Sequence, residues 1–370
     1  MDELMRKMRI VSSAGLMENQ LMNNENMRQA IGTTELMVPK LIFGTSALGN
    51  LYRELDLSSK LKIVESWFRE MDPPVCIDSA GKYGAGLALE EIGNALRFLD
   101  VPQERVIISN KLGWKRVPLE ADEPTFEPGV WKNLSCDAVQ SISYEGILEC
   151  WEQGNRLLGS TCRAQMLSVH DPDEYIAAAG SESARKKRFA RILDAYRALD
   201  DLKKDGEASA IGVGSKDWRV IRDLVEKTDL DWVMLAGSLT VYTHPRELLQ
   251  FIAELDRNGV FVINSALFNS GFLVGGTFFD YKPVNPGEDP ELFHWRSGFN
   301  RACRDFGVSS ADACVEFGLA PRAVKSVAMN TTRPERVGEN VASVEKQAPR
   351  EFWERLLAEG LISVTPEQLK

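Results

Sequence analysis

The chain has 370 residues, of which 44% are hydrophobic and 26% are charged, and its formal net charge is −10. This length and composition are typical of a globular protein built as two domains or as one large α/β domain. Because a phosphate-binding surface needs a concentrated basic face, the acidic balance argues against nucleic acid and anionic membranes as partners and favours a small-molecule substrate.

The sequence shows no feature of an exported or membrane-anchored protein. No apolar run approaches the roughly 18 to 20 residues that a membrane-spanning helix needs. The polar residues 1–29 lack the apolar core of a secretory signal, so we expect a cytoplasmic protein. The six cysteines have neither a Cys-x-x-Cys spacing nor a histidine at metal-ligand spacing, which predicts free thiols and no metal site.

Eight short apolar runs alternate with helical patterns along the chain. The predicted strands cover 41–49, 75–78, 105–113, 165–172, 209–215, 231–236, 260–266 and 324–328. The predicted helices cover 58–71, 87–99, 144–158, 184–204, 217–227, 246–257, 291–306, 309–320 and 334–344. Ser58 or Ser59 is the expected N-cap of the first helix. Continuous apolar runs, rather than alternating ones, indicate a parallel sheet that is covered by helices.

Eight repeats of strand and helix favour closure into a (β/α)8 TIM barrel over an open doubly wound sheet. An open sheet normally has a glycine-rich phosphate loop after its first strand, and residues 44–49 (GTSALG) are not such a loop. We therefore predict a single α/β barrel domain over residues 30–348. An N-terminal tail, 1–29, precedes it, and a C-terminal segment, 349–370, follows it.

Two segments, 114–142 and 268–290, are long for loops of a compact domain, and loops of this length are usually functional. Both are expected at the C-terminal face of the barrel. Trp114 and Trp131 lie in the first loop, and aromatic faces suit the apolar side of a sugar ring. They are candidate substrate contacts, with burial beneath the loop as the alternative.

Polar side chains follow three successive predicted strands. Asp78 and Tyr83 follow the second strand, Lys111 ends the third and His170 ends the fourth. The carboxyl ends of barrel strands converge on one face, so these four side chains are expected to meet. A phenol becomes a usable acid or base when a lysine ammonium lies beside it and an aspartate positions that lysine. The histidine is then placed to orient a substrate oxygen.

With these residues in place, the chain resembles the aldo-keto reductases, which are NAD(P)-dependent oxidoreductases on a (β/α)8 barrel. The resemblance runs from about residue 31 to 345. The segments LGNLYR at 48–53, HDPDEY at 170–175 and FNSGFL at 268–273 are similar to the subgroup that contains D-threo-aldose 1-dehydrogenase, L-fucose and L-galactose dehydrogenases and pyridoxal 4-dehydrogenase. The sugar dehydrogenases of that subgroup oxidise the anomeric hydroxyl of a cyclic sugar to a lactone.

The resemblance implies a role for each of the four polar residues. Tyr83 is the implied general acid/base, Lys111 and Asp78 are its tuning partners, and His170 orients the substrate. Hydride passes from the anomeric carbon to the nicotinamide while tyrosinate takes the hydroxyl proton, and in reverse the phenol donates to a carbonyl. The protein then has to hold the reacting carbons together and manage one proton.

The resemblance also implies a set of nucleotide-binding residues. Phe268 is expected to stack on the nicotinamide ring, the backbone from Asn269 to Leu273 faces the pyrophosphate, and Glu339 and Asn340 lie against adenine. The full set is Ser215, Lys216, Phe268, Asn269, Ser270, Gly271, Leu273, Ser326, Asn330, Arg336, Glu339 and Asn340.

Two positions differ from the pattern that the resemblance implies. Lys216 stands where the family places an asparagine that binds the nicotinamide carboxamide. Asn330 stands where NADP-specific members have a lysine, which favours NAD, whereas the nearby Arg333 and Arg336 still offer a grip for a 2′-phosphate.

Three functions remain open from the sequence. The first is an aldose dehydrogenase that uses NAD or NADP. The second is a reductase of aldehydes or ketones with the same site. The third is a non-catalytic barrel that binds nicotinamide nucleotide, and the intact set of four polar residues favours an enzyme over it. The particular sugar and the oligomeric state are not encoded in any readable pattern.

Overall fold

The computed structural model describes residues 28–32 and 34–370. Of the predicted N-terminal tail, residues 1–27 lie outside the described residues. The strand Arg28–Ala30 pairs antiparallel with Met37–Pro39, directly before the first barrel strand. Ile31 and Val38 are fully buried and pack with the interior side chains of the barrel. This hairpin therefore closes the amino-terminal end of the barrel.

Eight parallel strands form a closed barrel, which confirms the predicted (β/α)8 fold of a single domain. In chain order the barrel strands are Leu41–Gly44, Val75–Ala80, Val106–Leu112, Met166–His170, Ala210–Ser215, Trp232–Ala236, Phe261–Ser265 and Val324–Met329. The first strand pairs with both the second and the eighth and so completes the ring. All eight carboxyl ends consequently open on the same face.

Side chains along each strand alternate between the barrel interior and the surrounding helices. Cys76 packs in the interior with Ile107 and Met166, whereas Ile77 packs among the helices. The period of two places Asp78 on the same face as Cys76, two residues closer to the open end. Apolar strands that end in an inward polar residue therefore produce a dry barrel base and a polar mouth.

The helices pack around the barrel and alternate with its strands. Those that correspond to the predicted helices are Leu57–Glu70, Leu87–Phe98, Tyr144–Leu158, Glu182–Lys204, Trp218–Val225, Arg246–Arg257, Pro290–Phe306, Ser310–Leu319 and Val337–Ser343. The expected N-cap of the first helix was wrong. Asp56 is the cap, because its carboxylate accepts a hydrogen bond from the backbone N–H of Ser59 at 2.8 Å.

Both segments treated as loops contain strands. In the segment 114–142, Trp114–Pro118 and Cys136–Gln140 form an antiparallel hairpin. In the segment 268–290, Phe278–Phe279 pairs with Lys282–Pro283. The first hairpin is held by a tertiary contact, since Gln153 on a neighbouring helix bonds both the N–H and the C=O of Arg116, at 2.7 and 3.0 Å. A pattern search along the chain has no access to such a contact.

The C-terminal segment packs on the barrel. Its helix Arg350–Ala358 buries Phe352 and Trp353. Trp295, on the helix Pro290–Phe306, donates a hydrogen bond to the backbone oxygen of Leu361 at 2.8 Å. Throughout residues 28–32 and 34–370, no helix combines the length and apolar character that crossing a membrane requires.

Candidate active site

A cavity of about 460 Å³ opens at the carboxyl-terminal ends of the barrel strands. Asp78, Tyr83, Lys111 and His170 all line it. They come from the second, third and fourth strands and the loop after the second, and these strands are neighbours in the barrel. The structure therefore brings the four polar residues together in one place. A second concavity, of about 380 Å³, lies between the helix Glu182–Lys204 and residues 227–229, and contains none of them.

Asp78 and Lys111 form a buried ion pair between adjacent strands. Lys111 Nζ contacts Asp78 Oδ2, and the two side chains are only 3% and 5% exposed. Ser109 Oγ donates to Asp78 Oδ1 at 3.0 Å, and Thr45 Oγ1 donates to the Asp78 backbone oxygen at 2.9 Å. Parallel register places Asp78 beside Ser109 and Ala80 beside Lys111. The pair is thus positioned by backbone pairing and not by a flexible loop.

Tyr83 is positioned by direct contact between two backbone loops. A Cβ atom at Gly49 would lie 2.7 Å from the Tyr83 carbonyl carbon, and one at Gly84 would lie 2.4 Å from the Gly49 oxygen. Only glycine permits this approach, and Gly84 also has a φ of 62°. Lys111 Nζ lies 4.8 Å from the Tyr83 ring centroid, and the His170 ring stands edge-on at 5.5 Å. The phenol is therefore held between an ammonium group and an imidazole.

The surroundings of Tyr83 and His170 set the charge of each ring. Burial raises the pKa of Tyr83 well above its ordinary value, and the negative charge of Asp78 adds to the rise. Burial lowers the pKa of His170 well below its ordinary value, with Lys111 contributing in the same direction. Both rings are consequently neutral near pH 7. Within the described part of the chain, the buried Nδ1 of His170 has no hydrogen-bond partner.

Beside Tyr83 lies a group of charged residues that we call the lysine–carboxylate cluster, and of its members the sequence analysis had singled out Lys216 alone. It consists of Lys82, Glu127, Asp171, Glu174 and Lys216. Lys82 is 4% exposed, and its Nζ lies 2.9 Å from Glu127, 2.9 Å from Glu174 and 3.3 Å from Asp171. Lys216 Nζ lies 2.6 Å from Glu174. The sequence did contain one signal for the cluster: Lys82 directly precedes Tyr83, and Asp171 directly follows His170.

The contacts and the burial within the cluster also change the pKa values of its members. Although burial alone lowers the pKa of Lys82, the carboxylates of Asp171, Glu127 and Glu174 raise it above its ordinary value. Burial raises the pKa of Asp171 to about 6, against the opposing effect of Lys82. Lys82 is therefore charged at neutral and at moderately alkaline pH. Asp171 loses its proton around pH 6 and is mostly ionised at pH 7.

Lys216, which replaces the expected asparagine, is held by two neighbours. Besides its ion pair with Glu174, its Nζ lies 4.7 Å from the ring centroid of Tyr281. Both Lys216 and Tyr281 line the cavity. Tyr281 belongs to the turn between the short strands Phe278–Phe279 and Lys282–Pro283, so Lys216 connects the barrel mouth to that turn.

The two tryptophans proposed as substrate contacts occupy different places. Trp131 lines the cavity, lies 5.8 Å from the Tyr83 ring centroid and donates to Glu127 Oε2 at 2.7 Å. Trp114 is not part of the lining and packs on Phe126 at 5.9 Å. Lys82 Nζ lies 5.3 Å from the Trp114 ring centroid. Trp114 therefore supports the wall behind Lys82, whereas Trp131 forms the cavity surface.

The predicted nucleotide-binding residues fall into three groups. Those that line the cavity are Lys216, Phe268, Ser270, Gly271 and Asn330. Those that are buried away from it are Ser215, Asn269, Leu273 and Ser326. Those on the surface or partly exposed beyond the eighth strand are Arg336, Glu339 and Asn340. Ser326 Oγ donates to the backbone oxygen of Pro39 at 2.7 Å, so its hydroxyl serves the barrel wall.

The residues along one side of the cavity fit a nicotinamide nucleotide. The cavity continues from Tyr83 to Phe268, Gly271 and Asn330, which suits an elongated ligand. A Cβ atom at Gly271 would meet no other described atom within 4 Å, so this turn borders open space. The side-chain amide of Asn269 is buried, and neither its oxygen nor its nitrogen has a partner among the described residues. No three His, Cys, Asp or Glu side chains of the described chain are arranged to bind a metal.

Comparison with known proteins shows which family this chain belongs to. The model of the Aldo/keto reductase family matches residues 40–358. Pyridoxal 4-dehydrogenase from Microbacterium luteolum is 29% identical over 352 residues, which are 91% of this chain and 98% of that protein. D-threo-aldose 1-dehydrogenase from a Pseudomonas species is 26% identical over 349 residues, with the same coverage of 91% and 98%. The solved structure of a glycerol dehydrogenase from Gluconobacter oxydans shares the fold, with a TM-score of 0.65 at 17% identity over 92% of this chain and 98% of that one. Since the family model spans most of the chain, this protein belongs to the Aldo/keto reductase family.

Proposed function

We propose that this oxidoreductase oxidises the anomeric hydroxyl of a free aldose to the lactone, with Tyr83 as the general acid/base. The observation that carries the proposal is the convergence of Tyr83, the Lys111–Asp78 pair and His170 on one cavity. Trp131 and Glu127 supply an aromatic face and a carboxylate on the wall of the same cavity. Such a combination suits the apolar face and the hydroxyl groups of a sugar.

In the proposed reaction, Tyr83 moves one proton. During oxidation the Tyr83 oxygen takes the proton of the anomeric hydroxyl, and during reduction the phenol returns it to a carbonyl oxygen. The phenolate that oxidation requires is stabilised in this proposal by two ammonium groups: Lys111, 4.8 Å from the ring centroid, and Lys82, whose charge lowers the pKa of the phenol against the larger effect of burial. Asp78 holds the Lys111 ammonium in place through their buried contact.

His170 positions the substrate oxygen in this proposal. Because its pKa is lowered by burial and by Lys111, the ring is neutral and forms a hydrogen bond without adding a charge. Its Nε2 lies 3.5 Å from Asp171 Oδ2, at the limit of hydrogen bonding, and remains able to donate to a ligand.

NAD or NADP, when bound, supplies the hydride acceptor. Phe268, the turn from Asn269 to Leu273 and the open side at Gly271 are the residues that hold it in this proposal, together with Ser215 and Lys216. Residues of the eighth strand and of the segment that follows it, from Ser326 to Asn340, hold the adenosine end in this proposal. With Asn330 in place of a lysine, NAD is the proposed cofactor.

The two curated relatives point to a shared substrate chemistry. Their names refer to pyridoxal and to aldoses. Both compounds carry an aldehyde and a hydroxyl group in one molecule, so both close to a cyclic hemiacetal. The hydroxyl of a cyclic hemiacetal is thus the reacting group that the two names have in common, and aldoses are the first class to test.

The proposal is tested by following NADH or NADPH absorbance with a panel of free aldoses and both oxidised cofactors. Tyr83→Phe is expected to reduce turnover by about 10²- to 10⁴-fold, the usual contribution of a positioned acid/base. Tyr144→Phe is the matched control, since the Tyr144 hydroxyl donates to Asp201 on an outer helix at 2.8 Å. It is expected to retain wild-type turnover.

The same assay, repeated with NADH or NADPH and a panel of aldehydes and ketones, separates the alternatives together with a fluorescence titration of nucleotide binding. Wild-type turnover in Tyr83→Phe would refute the assigned acid/base. Reduction of aldehydes or ketones without oxidation of any aldose would identify the reductase. Nucleotide binding without turnover on any of these compounds would identify a non-catalytic binding barrel.

A further inference from the structure

The lysine–carboxylate cluster lies outside the set of four residues that manage the proton, yet it forms part of the cavity wall. Lys82, Glu127, Asp171 and Lys216 line the cavity, and Glu174 stands behind them between the two lysines. The cluster draws on the loops after the second, fourth and fifth strands and on the 114–142 segment. A bound substrate that reaches Tyr83 and His170 therefore lies next to it.

The charges of the cluster do not cancel. Two ammonium groups face three carboxylates, which leaves one negative charge in excess. The neighbouring Lys111–Asp78 pair is balanced and leaves the excess unchanged. Because water is largely excluded around Lys82 and Asp171, which are 4% and 8% exposed, a charge placed here is poorly screened.

The same wall offers hydrogen-bond acceptors for hydroxyl groups. An ionised carboxylate accepts about four hydrogen bonds, more than the lysines of the cluster use. Glu127 links the cluster to Trp131, whose ring forms the adjoining surface. On the other side, His170 lines the cavity, and its Nε2, 3.5 Å from Asp171 Oδ2, remains able to donate to a ligand. An uncharged ligand with several hydroxyl groups can donate to the carboxylates, hydrogen-bond to the His170 imidazole and pack on the Trp131 ring at the same time.

We propose that the lysine–carboxylate cluster selects an uncharged polyhydroxyl substrate and rejects counterparts that carry a carboxylate or a phosphate. The proposal rests on the proposed function, because the substrate must present its reacting hydroxyl to Tyr83. An anionic substituent gives up its hydration and meets the excess negative charge of the wall. Like-charge contact of this kind is expected to lower kcat/KM for the anion by about tenfold or more.

The test compares each neutral aldose with its uronate of the same stereochemistry, as in D-glucose and D-glucuronate or D-galactose and D-galacturonate. Both members of a pair carry the same anomeric hydroxyl, so the ratio of their kcat/KM values reports discrimination alone. Titration calorimetry with the same compounds measures binding without turnover. The wild-type ratio is expected to favour the aldose by about tenfold or more.

Two variants should move this ratio in opposite directions. Glu127→Gln removes the excess negative charge and retains an acceptor for Trp131, so the ratio should fall towards one. Lys216→Met removes a positive charge, so the ratio should rise. Effects of Lys216→Met on nucleotide binding cancel, because both sugars are compared on the same variant. Glu149→Gln is the control, since Glu149 pairs with Lys115 at 2.8 Å outside the cavity lining, and its ratio should match the wild type.

Three results would overturn the proposal: equal or better use of uronates by the wild type, movement of both variants in the same direction, or no binding either of the aldose and uronate pairs or of glyceraldehyde and its 3-phosphate. Failure of the aldose function alone looks different. If aldoses are not oxidised but aldehydes are reduced, the ratio is measured with glyceraldehyde and glyceraldehyde 3-phosphate. Discrimination between these two supports the cluster proposal, and equal rates overturn it.

Discussion

The two ends of the cavity are built in different ways. At the tyrosine end, Asp78 and Lys111 extend from adjacent strands, are almost fully buried and contact each other directly. At the other end, Phe268 and Gly271 belong to a turn, and Asn330 is exposed beyond the eighth strand. Strand register dictates the first arrangement, whereas local turn conformation dictates the second. Under the proposed function, proton transfer therefore relies on rigidly positioned side chains of two strands, and nucleotide binding relies on a turn and on residues beyond the eighth strand.

The largest effect is expected from removing one charge of the buried ion pair at the tyrosine end. Lys111→Met leaves Asp78 buried without its ammonium partner, which is expected to lower the free energy of unfolding by about 3–5 kcal/mol. Lys115→Met is the matched control, because Lys115 pairs with Glu149 at 2.8 Å but is 36% exposed. Its expected cost is below about 1 kcal/mol. Urea unfolding of both variants measures the difference.

A double variant shows whether the loss comes from the unpaired charge. Lys111→Met combined with Asp78→Leu removes both charges and should recover most of the stability, because the desolvation cost disappears with the pair. Equal stabilities of Lys111→Met and Lys115→Met would contradict the view that the tyrosine end is held by a buried ion pair.

The pH dependence of turnover also tests the tyrosine end of the cavity. Its expected effect lies between those of the charge removal above and of the nucleotide-end substitution below. Under the proposed function, oxidation requires the phenolate of Tyr83, and burial raises the pKa of this phenol well above its ordinary value. The rate of oxidation should therefore rise with pH, by at most about tenfold per unit, throughout the range below that pKa. Reduction uses the neutral phenol and should stay level over the same range. Profiles of kcat/KM in both directions provide the measurement, and a level oxidation profile would contradict the assignment.

The smallest expected effect is at the nucleotide end. Asn330→Lys places a cation near the expected 2′-phosphate and should tighten NADP binding by about 2- to 5-fold, because exposed ion pairs contribute about 1 kcal/mol or less. The gain should shrink at high salt, and NAD affinity should not change. Asn258→Lys, in an exposed position at the end of the helix Arg246–Arg257, is the control. Fluorescence titration with both nucleotides measures the change.

The fold was predictable because each strand has its own local signal. Runs such as Val75–Ile77 and Val106–Ile108 are apolar on both faces, and only a parallel sheet covered on both faces buries them. Eight such runs, each followed by a helix, indicate a barrel. The hairpin of Trp114–Pro118 and Cys136–Gln140 was missed because its strands are mixed in polarity and are held by Gln153, which is distant in the chain.

The residues of the candidate site also fall into those that local sequence patterns locate and those that only tertiary contacts place. Asp78, Lys111 and His170 could be located because they lie within the last three residues of their strands, and the carboxyl ends of the strands meet at the mouth of a barrel. Glu127 could not be located, because it reaches Lys82 across 45 residues of chain through a loop whose path has no sequence pattern. Lys216 was singled out only as a departure from the family, and its contacts with Glu174 and Tyr281 were not foreseen.

The amino-acid sequence by itself determined the order of strands and helices, the closed barrel and the identity of the polar residues at three strand ends. These properties follow from hydrophobic periodicity and from backbone register, both of which act over a few neighbouring residues. Only the tertiary structure decided which loops reach the cavity, that Trp131 rather than Trp114 forms its wall, and that two lysines face three carboxylates beside Tyr83. These contacts join residues far apart in the chain, and their geometry depends on the packing of the whole barrel.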